Sequence, residues 1–299
     1  MGIAIPLRRV RLAASMAAAQ AAAPAGDQAL QVTALDVFAV KEPDSGRSYA
    51  VIRLTTRNGL KGYGECAIPT ESSVAAARAA ITGKPATAYE VAAAALHMHP
   101  GISAGVNIAL LDLAGKQAKV PIFQLLGGPT RTKARALAPL SGSSADQLAR
   151  SLTAAQSAGF RAFSVPVIPP TPTKRSKEYV ESITTLMADL RKRAGEGSDF
   201  VLDGSIGLLA ADAANLATAL ERFHLLWFDE PVRLSNLSIA QRIASENVTP
   251  LGFGRFADGA GLFQDLLRDG AVDILRPSLA LHGISGIRRI ATMAENYYV

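Results

Sequence analysis

The feature that most constrains the fold of this chain is a repeating unit in its second half. Short apolar runs that end in a polar or special residue alternate there with stretches of helical periodicity. The runs are residues 134–140, 160–167, 199–205, 225–232, 249–255 and 272–278. Strands that alternate with helices indicate a parallel sheet, and a curled array of this kind forms a TIM-type (β/α) barrel. Six such units are present, so we predict a partial barrel domain over residues 131–299, in which residues 296–299 open a seventh strand.

The first half of the chain has a different pattern, in which strand-like segments precede alanine-rich helices. Residues 30–40 and 48–57 alternate apolar and polar side chains, and RNGLKG has the Asn-Gly chemistry of a hairpin turn. The predicted helices cover residues 72–82, 89–98 and 106–119. We therefore predict an N-terminal α+β domain over residues 27–130, and an α/β fold class for the whole chain.

Residues 1–26 have the composition of an export signal. They contain Arg8, Arg9 and Arg11, no acidic residue, an alanine-rich centre and small residues near positions 23–25. The paired arginines resemble a twin-arginine signal, although an alanine-rich tail or a transit peptide has a similar composition. We expect an exported, periplasmic protein if this segment is a signal and a cytoplasmic one otherwise.

Charge and cysteine usage argue against several classes of function. The formal net charge of +6 falls to +3 without residues 1–26, and no basic stripe carries interleaved aromatic residues, so a nucleic-acid partner is not expected. No apolar run is long enough for a membrane span. The single cysteine, Cys66, excludes an internal disulfide and a multi-cysteine metal cluster, and we expect it to be a small buried residue rather than a nucleophile.

Several segments, taken in order, resemble one enzyme family. They are YAVIRLTTRNGLKGYGEC, NIALLDLAGKQAKVPIFQLLGGPTR, AGFRAF, LLWFDEP and GAVDILRPSLALHGISGIRRIATMAE. Over residues 30–299 the chain is similar to the mandelate racemase/muconate lactonizing enzyme branch of the enolase superfamily, which includes galactonate dehydratase-like sugar-acid dehydratases. The resemblance implies an α+β capping domain that closes over the barrel, and a homo-oligomer. The resemblance also implies a final capping helix beyond Val299, so we expect a truncated or incomplete chain.

The resemblance implies a chemistry and a set of metal ligands. In this family Mg²⁺ binds the substrate carboxylate, which makes the α-proton acidic and stabilises the enediolate. One carboxylate from the end of each of three consecutive strands holds the metal. The first two positions are Asp203 and Asp229, which are 26 residues apart, and a further 26 residues lead to Arg255. A cation therefore stands where the family has its third carboxylate, so Mg²⁺ binding is expected to be weak or absent.

The positions of the family's proton-transfer groups also differ. The Lys-x-Lys site corresponds to Ser164-Val165-Pro166, so Ser164 is the candidate catalytic residue at this strand. An asparagine that follows the first metal ligand corresponds to Ser205, and the aspartate that partners a histidine corresponds to Ser278. Together these differences remove the usual groups for proton abstraction.

Arg255 has three interpretations. We hypothesise that it lies between Asp203 and Asp229, or Glu230, as a built-in counter-ion, because neighbouring carboxylates repel and a guanidinium can bond to both. Alternatively, Arg255 is a catalytic-site residue that binds a substrate carboxylate while a weak metal site survives. The third interpretation is a loop arginine without a function.

Three further residues are candidates for the site. Glu230 is either a structural carboxylate or a substitute metal ligand, and Arg276 is a candidate for binding a substrate anion. His282 is a candidate acid or base if it reaches the cleft, although a lone histidine here is more often a loop or helix-entry residue.

Two functions follow from these observations. The first is a lyase (a sugar-acid dehydratase) or racemase that acts on a carboxylate substrate through an enediolate, with remodelled metal and base positions. The second is a non-catalytic homologue that binds a small acid or serves as an oligomer subunit.

Overall fold

The computed structural model of the chain describes residues 28–43, 46–129, 131–168, 176–204, 207–234, 237–257 and 259–299. The chain divides into two units, Met1–Leu126 and Gly127–Val299. This division lies close to the domain boundary predicted between residues 130 and 131. The expected export signal and Ser205 lie outside the described residues. Within the described ranges, no helix has both the length and the hydropathy of a membrane-spanning segment.

An antiparallel sheet opens the N-terminal unit. Its strands are β1 (Val32–Lys41), β2 (Ser48–Thr56) and β3 (Lys61–Cys66), in the order β1-β2-β3. The turn between β2 and β3 contains Asn58 and Gly59, and Gly59 has a φ of +81°. The side-chain oxygen of Asn58 accepts a hydrogen bond from the backbone N–H of Leu60 at 3.2 Å. The hairpin predicted from the RNGLKG segment is therefore confirmed.

Helices with described bounds follow this sheet in the N-terminal unit. They are α1 (Glu71–Ile81), α2 (Tyr89–Ala95), α3 (Pro100–Ala118) and α4 (Ile122–Leu125). α3 begins earlier than predicted because Pro100, whose fixed φ suits the first helical turn, starts it. α3 packs closely on β3, since a Cβ at Gly64 would overlap the backbone oxygen of Gly105 and lie 3.0 Å from the backbone nitrogen of Ala109.

A parallel sheet forms the centre of the C-terminal unit, and its strands follow one another in sequence order. They are β4 (Ala138–Pro139), β5 (Ala162–Pro166), β6 (Asp199–Asp203), β7 (Trp227–Asp229), β8 (Leu251–Phe253) and β9 (Ile274–Leu275). The helices are α5 (Ala145–Ser157), α6 (Ser176–Ala194), α7 (Ala210–Leu220), α8 (Leu237–Glu246), α9 (Ala260–Arg268) and α10 (Leu279–Glu295). The predicted series of six strand–helix units is confirmed. The predicted seventh strand is wrong, because residues 296–299 follow α10 as a turn.

The two faces of the parallel sheet differ in character. One face carries fully buried phenylalanines that share a hydrophobic cluster with helical residues; they are Phe163, Phe200, Phe228 and Phe253. Because strand residues alternate between faces, the intervening positions point to the other side. On that side, Pro166 pairs in register with Asp203, Asp203 with Asp229, and Asp229 with Gly252. The carboxyl ends of the parallel strands meet at one edge, and this row of residues lies there.

Candidate active site at the ends of the parallel strands

Two carboxylates lie side by side at the carboxyl ends of β6 and β7. Asp203 and Asp229 are the last residues of these strands, and they are partners in the sheet register. The side chain of Asp229 is fully buried, and that of Asp203 is 17% exposed. Two ionised carboxylates this close repel each other, so the pair needs a positive charge nearby.

Arg255, in the turn after β8, supplies positive charge to both aspartates. Its Nη1 donates to Oδ2 of Asp203 at 3.1 Å, and its Nη2 donates to Oδ1 at 2.7 Å. Nη2 also lies 3.5 Å from Oδ2 of Asp229. Arg255 thus lies between the two carboxylates, as the counter-ion hypothesis requires. Burial lowers the pKa of Arg255, but the hydrogen bond and charge of Asp203 and the charge of Asp229 raise it above its ordinary value, so the guanidinium stays charged.

A second arginine shares Asp229. Nη1 of Arg276 donates to Oδ2 of Asp229 at 2.5 Å, and Nε1 of Trp227 donates to Oδ1 at 3.0 Å. The guanidinium carbon of Arg276 lies 5.6 Å from the centre of the Trp227 ring, within the range of a cation–π contact. Burial raises the pKa of Asp229, and the charge of Arg276, the N–H of Trp227 and the charge of Arg255 oppose this rise. The anion-binding role expected for Arg276 stays a prediction.

Glu230 holds the turn that carries Arg255. Its Oε1 accepts hydrogen bonds from the backbone N–H groups of Gly254 at 2.8 Å and of Arg255 at 2.7 Å. Glu230 is 5% exposed, and its backbone has a φ of +44°, in the left-handed region that residues with a Cβ seldom adopt. Burial raises the pKa of Glu230, the hydrogen bond from the Arg255 backbone lowers it, and the charge of Asp229 raises it further. Of the two interpretations of Glu230, the structural carboxylate matches this geometry.

Gly252 makes room for the indole ring that reaches Asp229. A Cβ at position 252 would lie 2.9 Å from Nε1 of Trp227, 3.0 Å from Oδ1 of Asp229, and closer still to Cδ1 of the ring. Only glycine therefore lets the Trp227 ring lie across β8. Sequence reasoning missed both Trp227 and Gly252. The available signal was the spacing of Trp227 and Asp229, because residues i and i+2 of a strand share a face.

Ser164 lies one row deeper in the sheet than the carboxylates. It pairs in register with Val201, two residues before Asp203, and it is 8% exposed. Pro166 occupies the position beside Asp203. The Lys-x-Lys positions thus place a buried hydroxyl and a proline ring at the end of β5, neither of which is a base. The catalytic role expected for Ser164 stays a prediction.

His282, in α10, contacts the segment that follows β8. Its Nε2 lies 2.8 Å from the backbone oxygen of Ala257, and its ring packs edge-on against Phe263 with 5.3 Å between ring centres. Ser278 is the residue that precedes α10. These contacts match a helix-entry histidine better than an acid or base directed at Asp203 and Asp229.

A cavity of about 480 Å³ opens beside Glu230. Its lining combines apolar side chains, among them Val232, Phe256 and Leu262, with the charged residues Glu230 and Arg233. Its volume falls within the range of pockets that bind small organic molecules.

The expected metal ligands do not fit a divalent cation in this arrangement. Mg²⁺ requires oxygen ligands whose lone pairs point to a common centre. Both oxygens of Asp203 accept from Arg255, those of Asp229 accept from Trp227 and Arg276, and Oε1 of Glu230 accepts from the backbone. Among the residues that the structure describes, no group of three or more His, Cys, Asp or Glu side chains is arranged to hold a metal ion. Ion pairs engage Asp203 and Asp229, backbone hydrogen bonds engage Glu230, and the guanidinium between the aspartates would repel a second cation.

Two family matches cover most of the chain. Residues 37–127 match the family described as the mandelate racemase/muconate lactonizing enzyme N-terminal domain. Residues 147–299 match the family described as enolase C-terminal domain-like.

Curated relatives carry dehydratase names. A D-galactonate dehydratase family member of Marinomonas sp. (strain MWYL1) is 28% identical over 222 residues, which cover 66% of this chain and 55% of that protein. The D-galactonate dehydratase of Ralstonia pickettii (strain 12J) is 30% identical over 197 residues, which cover 66% of this chain and 52% of that protein. The chain therefore spans about half the length of these relatives.

Solved structures share the fold. An enolase from Agrobacterium radiobacter, crystallised with sodium and L-malate, has a TM-score of 0.82 and 24% identity, and the match covers 90% of this chain and 72% of that chain. A mandelate racemase/muconate lactonizing enzyme from Jannaschia sp. CCS1 has a TM-score of 0.80 and 25% identity, and the match covers 89% of this chain and 78% of that chain. These likenesses confirm the predicted α/β fold class, an N-terminal α+β domain followed by a TIM-type barrel domain.

Proposed function

Because the chain belongs to the mandelate racemase/muconate lactonizing enzyme branch of the enolase superfamily, we propose that it recognises a small carboxylate of the sugar-acid class. The names of its curated relatives, D-galactonate dehydratases, support this class of ligand. In this proposal the acid binds at the ends of the parallel strands, without Mg²⁺ and without the enediolate chemistry of the family.

The observation that carries the proposal is that the guanidinium of Arg276 keeps N–H groups available for a ligand. One N–H group of its guanidinium is donated to Asp229, and the other guanidinium N–H groups make no hydrogen bond with the described part of the chain. The side chain is 28% exposed, so these donors are accessible to a ligand. A guanidinium binds a carboxylate through two parallel N–H groups, so Arg276 has the chemistry to take the substrate carboxylate that a metal would otherwise hold.

The other residues of the site favour binding over proton abstraction. Asp203 and Asp229 accept hydrogen bonds from guanidinium groups, so these carboxylate oxygens are occupied by arginines rather than directed at a substrate proton. Ser164 lies below the strand ends, and His282 is engaged with the backbone at Ala257. Among the described residues at the strand ends, no unpaired base is positioned beside Arg276.

A lyase or racemase with a remodelled site is the second candidate, and the dehydratase names of the relatives favour it. This function requires that substrate binding releases Asp203 or Asp229 from its arginine, so that the carboxylate can accept a proton. The product of sugar-acid dehydration, a 2-keto acid, distinguishes the two candidates.

Trp227 provides a direct test of ligand binding. It is the only tryptophan of the chain, and its ring centre lies 5.6 Å from the guanidinium carbon of Arg276. We expect D-galactonate or a related sugar acid to change its fluorescence equally in EDTA and in millimolar Mg²⁺, without formation of a 2-keto acid. Arg276→Met should weaken binding at least about tenfold, the loss expected for a charge-assisted hydrogen bond. Arg288→Met, which changes an exposed arginine of α10, is the matched control and should bind normally.

Two results would contradict this proposal. If no member of a sugar-acid panel binds, or if Arg276→Met and Arg288→Met bind equally well, Arg276 is not the recognition residue. Formation of a 2-keto acid that requires Mg²⁺ would establish the lyase instead.

Export by residues 1–26 is also part of the proposal. The support is the composition of the segment, with its paired arginines, alanine-rich centre and lack of acidic residues. Fusion of these residues to a reporter that is active only after export tests it, with Arg8→Lys/Arg9→Lys as the control. Failure of the fusion to leave the cytoplasm would contradict it.

A further inference from the structure

All three carboxylates of the strand-end cluster are bonded to Arg255 or to its turn. Asp203 receives two N–H groups of the guanidinium, and Asp229 lies 3.5 Å from one of them. Glu230 receives the backbone N–H of Arg255. These are the carboxylates from which a metal site at this edge would be built, and they instead hold one arginine in place.

The turn at Arg255 is shaped for this role. Gly254 has a φ of +118°, a conformation that favours glycine, and its N–H bonds to Glu230 together with that of Arg255. The guanidinium carbon lies 5.1 Å from the ring centre of Phe256, and the Nε atom is buried, although it makes no hydrogen bond with the described part of the chain. The backbone and the terminal nitrogens of this arginine are therefore held by hydrogen bonds, unlike those of a loop arginine in solvent.

Charge accounts for the presence of two arginines at this edge. Arg255 and Arg276 both contact Asp229, which is fully buried. Removing one cation from a buried ion pair typically costs about 3–5 kcal/mol, so a buried carboxylate strongly selects for positive charge around it. Two guanidinium groups together carry the same charge as one divalent metal ion.

We infer that Arg255 and Arg276 together take the place of the divalent cation at this edge. They neutralise Asp203 and Asp229 permanently, so the fold of the strand ends does not depend on metal. Restoring a carboxylate at position 255 and removing the charge at position 276 converts the same cluster into a divalent-cation site. The replacement of the metal by the two arginines is independent of the proposed acid binding, because it concerns the protein without a ligand.

The test compares metal binding by the protein and by Arg255→Glu, Arg276→Gln and the double variant. Each is treated with EDTA, and Mg²⁺ is added while thermal unfolding and calorimetric binding are measured. We expect the unsubstituted protein and Arg276→Gln to unfold at the same temperature with and without Mg²⁺. The double variant should be stabilised by Mg²⁺ and should bind it at least about tenfold more tightly than the unsubstituted protein, which corresponds to about 1.4 kcal/mol. Arg255→Lys, which keeps a cation, is the control and should not respond.

The outcomes are separable from folding defects. Circular dichroism reports whether each variant is folded, and a double variant that folds only in Mg²⁺ supports the inference. If the double variant is unfolded in both conditions, Arg255→Gln decides the question by the same comparison of Mg²⁺ affinities. Tight Mg²⁺ binding by the unsubstituted protein overturns the inference. It is also overturned if the folded variant, double or Arg255→Gln, gains no affinity. Failure to bind any sugar acid leaves this result unaffected.

Discussion

Replacing Gly252 with alanine tests the contact on which the geometry of the site depends. In the structure, a Cβ at this position would lie 2.9 Å from Nε1 of Trp227 and 3.0 Å from Oδ1 of Asp229. Neither group can retreat easily, because Trp227 and Asp229 are hydrogen-bonded to each other at 3.0 Å and Asp229 is fully buried. The indole must therefore move, and its hydrogen bond to Asp229 is lost.

The expected cost follows from three terms. Overpacking at a well-filled position costs about 1–3 kcal/mol, and loss of a hydrogen bond to a charged group costs about 1.5–3 kcal/mol. The alanine offsets about 0.5–1 kcal/mol of this loss in unfolding free energy, because it lowers the conformational entropy of the unfolded chain. We therefore expect the free energy of unfolding to fall by about 1.5–5.5 kcal/mol, a large part of the total for a typical protein of about 5–15 kcal/mol.

Urea unfolding, followed by Trp227 fluorescence and by far-UV circular dichroism, measures this cost. Gly261→Ala is the matched control, because a Cβ there meets nothing within 4 Å and the residue lies in α9 of the same unit. It should be neutral or stabilising by up to about 1 kcal/mol. In a Trp227→Phe background, which already lacks the N–H, Gly252→Ala should cost less by about 1.5–3 kcal/mol. If Gly252→Ala leaves both the unfolding free energy and the tryptophan emission unchanged, the reasoning about this contact is wrong.

Three further predictions concern other buried contacts. Gly64→Ala should destabilise the N-terminal unit by about 3 kcal/mol or more, since a Cβ would overlap the backbone of α3. Gly101→Ala should not destabilise this unit, because a Cβ at Gly101 meets nothing within 4 Å. Equal denaturation midpoints for the Gly64→Ala and Gly101→Ala variants would contradict the expectation. Burial raises the pKa of Cys66 from 9.0 to about 11, so the stability that the neutral thiol contributes is complete below pH 9 and is lost as the pH rises towards 11. The folded protein should therefore resist thiol reagents at pH 8, and rapid labelling without unfolding would contradict this. Asp229→Ala should lower the unfolding free energy by about 3–5 kcal/mol, because it leaves its two arginines without their shared carboxylate, and a loss under about 1 kcal/mol in urea titrations would refute it.

Much of the fold was accessible from the sequence because its signals are local. The six apolar runs of the second half and the Asn-Gly turn between β2 and β3 each act over a few residues, and the structure confirms them. The errors lie at the ends of elements. α3 starts at Pro100, earlier than predicted, and residues 296–299 form a turn although tyrosine and valine favour strands.

Only part of the site could be predicted from the sequence. The resemblance to the family, extended by a constant spacing to Arg255, brought Asp203, Asp229 and Arg255 together correctly, since equal strand–helix units return the chain to the same edge. The contribution of Trp227 was only partly readable, because its spacing to Asp229 places both on one face of β7, whereas its position across β8 depends on the absence of a side chain at Gly252. Arg276 was assigned to a ligand, whereas the structure shows that it also bonds to Asp229.

The sequence by itself determined that a cation follows β8 where related chains are expected to carry a carboxylate. Residue identity is sufficient for this, because the charge of an arginine does not depend on the fold. Only the tertiary structure decided what this charge contacts. Arg255 bonds to an aspartate 52 residues earlier, and Arg276 bonds to one 47 residues earlier. Such distances along the chain are closed by sheet register and by the space above Gly252, both of which exist only after the strands have assembled.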